Sequence, residues 1–133
     1  MRHVAPAVCA LLALALPAAG SGTGSNTWTA AASMSTTRTN LTATPLTDGR
    51  VLVVSGSSAE LYDPTTNHWT PTGSMRFGRV GATGTLLPSG LVLVVGGNSL
   101  NGVQASAELY DPATGRWTLT GSLRTPRWRH TAT

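Results

Sequence analysis

The chain has 133 residues and a formal net charge of +4, with nine arginines and no lysine set against five acids. That length allows one small domain and excludes a multi-domain enzyme within these residues. The arginines never cluster by more than two or three, so no polyanion-binding stripe forms and nucleic acid is not an expected partner. The single cysteine, Cys9, excludes an intrachain disulfide framework and a multi-cysteine zinc site.

Residues 1–20 have the layout of a secretory signal peptide. Met1–His3 is short and basic, Val4–Leu16 is apolar, and Pro17-Ala18-Ala19-Gly20 offers small residues for cleavage after Ala19 or Gly20. The apolar run is shorter than the roughly 20 residues of a spanning helix. The expectation is a secreted chain, extracellular or periplasmic, with no stable membrane insertion once the signal is removed. Cleavage also removes Cys9. Residues 21–27 are rich in Gly, Ser and Thr and read as a flexible lead-in.

From residue 28 to residue 133 the chain is a repeat. Trp28, Trp69 and Trp117 lie 41 and 48 residues apart, and Arg38, Arg79 and Arg127 follow them at matching offsets. Ala59-Glu60-Leu61-Tyr62-Asp63-Pro64 recurs unchanged as Ala107-Glu108-Leu109-Tyr110-Asp111-Pro112, and the extra seven residues fall within Asn98–Ser106. The units run over about 38–72 and 79–120, and a third begins at 127.

Each unit reads as four short strands. In the first, Thr39–Leu46 alternates threonine with apolar residues, Asp48-Gly49 signals a turn, and Val51–Val54 is a β-branched run suited to burial on both faces. Ala59–Tyr62 is the third strand. Asp63-Pro64-Thr65-Thr66-Asn67 is a turn, in which Asp caps, Pro presets φ and Asn accepts a positive φ; the fourth strand is Trp69–Thr72. The second unit repeats the order with Ser89-Gly90, Leu91–Val95, Ala107–Tyr110 and a turn ending at Gly115. Trp28 is read as a trailing outer strand and residues 127–133 as a first strand. No window carries helical periodicity.

Four antiparallel strands repeated every 40 to 50 residues make a β-propeller blade. The pattern Arg79, Thr83, Leu87, then Val92-Leu-Val-Val-Gly-Gly97, then Glu108-Leu-Tyr110-Asp-Pro and Trp117 resembles the kelch repeat. It is also similar to the blades of galactose-oxidase-like propellers. The first unit departs from the pattern with Ser55-Gly56 in place of the diglycine, which is expected to make the same small-residue turn. No Trp-Asp dipeptide supports the rival WD-type propeller. The resemblance implies an all-β fold of kelch-type propeller blades, about two blades plus flanking strands. A propeller closes with about four to eight blades, so this is an incomplete ring. It is expected to be a piece of a longer propeller, or a fragment that takes further blades from another chain.

The repeated residues have structural expectations. Gly96-Gly97 lets the chain turn where neighbouring backbone is close. Tyr62, Tyr110, Trp69 and Trp117 fill the wedge between blades. Glu60 and Glu108 form ties between strands with Arg38 and Arg79, and Arg127 recurs at the same position. Repetition favours a structural role, since an enzyme needs one site and not one per blade.

The expected ligand face carries the loops between strands 2 and 3 and between strand 4 and the next strand 1. Asn98, Asn101 and Gln104 come from the first of these, and Arg76, Phe77, Arg124, Arg127 and Trp128 from the second. Arginine and large aromatics on scaffolded loops suit contact with protein or carbohydrate. No catalytic residue, metal or cofactor is expected. His68, read as a turn residue, and His130 fall on different faces without a nearby acid. The galactose-oxidase resemblance implies a copper ion and a tyrosine–cysteine cross-link, and the cross-link cannot form once Cys9 is lost. The alternative is a fragment of such an extracellular copper oxidase whose catalytic residues are absent here. Asn40-Leu41-Thr42 is a formal glycosylation sequon, read as lying within an inner strand.

Overall fold

The computed structural model describes residues 28–132. The expected signal peptide, Cys9 and the lead-in lie outside the described residues. The chain divides into two compact units, Met1–Ala31 and Ala32–Thr133. Residues 28–31 of the first contain no strand, so the outer strand expected at Trp28 is not formed. Every described strand belongs to the second unit.

Ten strands and no helix occur among the described residues. The first blade is β1 (Thr42–Pro45), β2 (Val51–Ser55), β3 (Ser58–Asp63) and β4 (His68–Thr72), hydrogen-bonded in that order. The second is β5 (Thr83–Leu86), β6 (Val92–Val95), β9 (Ala107–Asp111) and β10 (Arg116–Leu119). Between β6 and β9 the chain makes a small ladder, β7 (Asn98–Ser99) with β8 (Gly102–Val103). All pairings are antiparallel, and the register repeats: Val51 faces Tyr62 as Val92 faces Tyr110, and Tyr62 faces Trp69 as Tyr110 faces Trp117. The fold is all-β, two four-stranded blades of an incomplete propeller ring.

The core lies between the two blades. Leu52, Val54, Ala59 and Leu61 of the first sheet and Met75 of the linker meet Val92, Val94 and Tyr110 of the second. The continuous apolar run of β2 is buried on both faces, as its composition implied: Leu52, Val53 and Val54 are all shut off from water. The turns are those the residues demand. Asp63 accepts from the Thr65 N–H and hydroxyl, Asp111 from the Ala113 N–H and the Thr114 hydroxyl. Asn67 and Gly115 take φ of 51° and 69° at the same turn position.

Three strand expectations are corrected. β1 starts at Thr42 and not at Thr39, because Asn40 has φ 48° and cannot continue an extended strand. Asn40 therefore lies in an exposed bend and not inside a strand. His68 opens β4 and is not part of the turn. Residues 127–132 form no strand, since no described strand lies beside them to supply a ladder. The two small-residue corners also differ. Gly56 has φ 63° in a tight return where Ser55 pairs with Ser58. Gly96 and Gly97 have φ 66° and 94° and lead into the β7–β8 excursion. A side chain at Gly96 would run into the Arg127 carbonyl and the His130 ring, so the close approach expected of the diglycine is present.

Candidate ligand-binding face

Each blade grips the segment that leads into it. Glu60, 1% exposed in mid-β3, accepts from Arg38 Nη2 at 2.7 Å and Nε at 3.2 Å, and from the Ser35 N–H. Glu108 accepts from Arg79 Nη2 at 2.9 Å and from the Arg76 and Phe77 N–H groups at 2.8 and 3.0 Å. The glutamates are on strands but the arginines are not. The ties join a linker to a strand, where ties between strands were expected. Arg38 and Arg79 also donate to carbonyls at the β2–β3 corner, Ser55 and Ser58 in one blade, Gly96 and Ser106 in the other. Burial opposes ionisation of Glu60, but Arg38 and the Ser35 N–H outweigh it and hold its carboxyl below the usual range. Burial also lowers the Arg79 guanidinium, and Glu108 opposes that shift.

The aromatics lock the linkers further. Trp117 Nε1 donates to the Gly73 carbonyl at 2.7 Å, and Trp69 Nε1 to the Ala32 carbonyl at 2.8 Å. Tyr110 shares a 2.7 Å hydrogen bond with the Thr72 hydroxyl, so this ring bridges the blades as expected. Tyr62 turns instead to Asn67 in its own blade.

The linkers so fixed carry the expected face. Phe77 is exposed, with the Arg76 guanidinium 5.7 Å from its ring centroid. Trp128 is exposed, with Arg129 stacked at 4.6 Å. Arg129 holds φ 51°, an uncommon conformation for a long side chain, and its N–H donates to the Gly81 carbonyl. Gly81 (φ 63°) in turn donates to the Asn40 carbonyl. These three residues occupy one repeat position, two after each repeated arginine, and step from blade to blade. Sequence reasoning singled out none of them as a set; the offset of two from Arg38, Arg79 and Arg127 was the signal.

The other expected residues divide. Arg124 and Arg127 are exposed, and the Arg127 backbone meets Gly97 and Gln104. Asn101 is exposed in the β7–β8 turn beside fully exposed Leu100. Asn98 and Gln104 are corrections. Asn98 is half-buried and its backbone exchanges two 2.8 Å bonds with Val80. The Gln104 amide is engaged with Ser99 and the Gly102 carbonyl, so it closes the hairpin and does not face a ligand. The face thus holds two separate Arg–aromatic pairs and an apolar hairpin tip.

No group of three His, Cys, Asp or Glu side chains converges among the described residues. His130 meets the Thr83 hydroxyl at 3.0 Å, His68 is exposed, and both tyrosine hydroxyls are engaged. Among the described residues no helix is long and apolar enough to cross a membrane.

No protein-family model matches the chain, and no curated protein does. Among solved structures it is similar to a fungal alcohol oxidase of the AA5 family in complex with copper, with a TM-score of 0.54 and 26% identity. The match covers 59% of this chain and 18% of that enzyme. The chain therefore spans less than a fifth of the solved protein it matches, and what the two share is the propeller-type fold.

Proposed function

We propose that this chain is a secreted, non-catalytic kelch-repeat module that contacts a protein or glycan ligand through its linker and β7–β8 face, as a piece of a larger propeller. The observation that carries this is the pair of arginine-on-aromatic stacks, Arg76–Phe77 and Arg129–Trp128, exposed on linkers whose backbones are pinned by buried groups. Pinning lowers the ordering cost of binding, and Trp, Phe and Arg are favoured anchors. The test is a glycan array and a protein pull-down with the native chain and a Phe77→Ala/Trp128→Ala variant of equal melting temperature. Retention by the native chain and loss in the variant is expected; equal retention overturns the assignment.

One observation favours a second reading, a piece of an extracellular copper oxidase: the similarity to the copper-bound fungal enzyme. The donor groups among the described residues do not fit a copper centre, since the two histidines are apart and the tyrosines are engaged. Peroxide release from alcohols by the Cu(II)-treated chain would favour this reading over the first.

A further inference from the structure

The segment leaving the second blade repeats the device by which the first blade docks on the second. At the first junction, Gly73 offers its carbonyl to Trp117, the Arg76 and Phe77 N–H groups bind Glu108, and Arg79 is buried against the same carboxylate. Forty-eight residues on stand Gly121, Arg124, Thr125 and Arg127. A side chain at Gly73 would strike the Gly115 carbonyl, whereas the space around Gly121 is open. Arg79 is 2% exposed, whereas Arg127 lies at the surface.

The sheet face agrees. Leu52, Val54, Leu61 and Met75 are buried at the first junction. Their counterparts Leu93, Val95, Leu109 and Leu123 are half-exposed and line two open hollows. The same apolar positions are covered on one blade and bare on the next, in a molecule that displays what covers them.

We propose that this second face docks a further four-stranded blade with one chemical signature: a buried glutamate, a tyrosine two residues on and a tryptophan nine residues on. The glutamate takes Arg127 and the Arg124 and Thr125 N–H groups, the tryptophan N–H takes the Gly121 carbonyl, and the tyrosine hydroxyl takes Thr120. A second copy of this chain is not that partner. Its Glu60 and Trp69 are already filled by its own Arg38 and Ala32, and its Glu108 and Trp117 by its own Arg79 and Gly73. This holds whether or not the loop face binds a ligand.

The test extends the full chain after Thr133 with a duplicate of Leu86–Thr120, which continues the repeat in register. Hydrogen exchange at the Arg124 and Thr125 amides is expected to slow at least tenfold. Arg127→Met is expected to lower the melting temperature of the extended chain about as much as Arg79→Met does, and to leave the native chain unchanged. A duplicate carrying Gln in place of its glutamate is expected to abolish the Arg127 sensitivity. Unchanged exchange at both amides, or a neutral Arg127→Met in the extended chain, overturns the proposal. Protection of those amides in the native chain that rises with its concentration overturns the choice of partner.

Discussion

Arg79 leaves the linker behind the first blade and meets Glu108 in the middle of the second, 2.9 Å away, with both side chains shut off from water. The same carboxylate receives two linker N–H groups, so one acidic side chain fixes both the charge and the backbone of the segment that carries Phe77. The Arg38–Glu60 pair does the same one blade earlier at 2.7 Å. Burying ions is expensive unless every lone pair is satisfied, and here the linker backbone satisfies them. Fold and candidate face are therefore one construction: the group that docks the blade also stiffens the loop.

Gly84 marks where the inner strands touch. A Cβ there would lie 2.5 Å from Thr44 Oγ1 and 2.6 Å from Thr42 Cγ2. Gly84→Ala is expected to destabilise by about 1–3 kcal/mol through overpacking, measured by urea unfolding. Thr44 is buried and has little room to yield. A loss under about 0.5 kcal/mol would show that the inner strands separate freely.

Glu60 sets an acid limit. Its carboxyl is held below its ordinary value near 4.5, so its contribution is complete above that pH and is lost as pH falls through the lower folded value. The denaturation midpoint of the native chain is expected to drop below about pH 4.5. Glu60→Gln should be less stable at pH 7 and flatter across that interval. Parallel curves for the two would remove Glu60 from the acid transition.

Tyr110→Phe deletes the hydroxyl that bridges to Thr72 while keeping the ring against Trp117, whose centroid is 4.9 Å away. A loss of about 0.5–1.5 kcal/mol is expected. Tyr62→Phe frees Asn67, which still accepts from the Ala32 N–H, so its loss should be smaller. Calorimetry of the two variants checks the order.

Phe77→Ala and Trp128→Ala should each leave stability within about 0.5 kcal/mol, since both rings are more than 40% exposed. Thermal unfolding checks this before any binding measurement.

Much of the blade was legible in the residues. The six-residue block at Ala59 and Ala107 gave the repeat, the β-branched run at Val51 gave the central strand, and Asp-Pro with Asn67 or Gly115 gave the turn. These are local signals, set by propensity and backbone conformation. The errors arose where a neighbour decides. Thr39 alternates like a strand residue, but the positive φ of Asn40 and the buried Arg38 pull the chain out of the sheet. Gln104 has the composition of a ligand-facing loop residue, yet it is within reach of Ser99 and closes its own hairpin. The stacking of Arg129 on Trp128 depends on Gly81, almost fifty residues earlier, and no spacing within one loop announces it.

The coupling between Arg79 and Glu108 is the decisive quantity. Arg79→Met and Glu108→Gln are each expected to lower unfolding free energy by about 3–5 kcal/mol, because each strands a buried group. Their combination should lose much less than the sum, with a coupling of about 2–3 kcal/mol in a double-mutant cycle. Additive losses, with a coupling below about 0.5 kcal/mol, would contradict the claim that this pair docks one blade on the next.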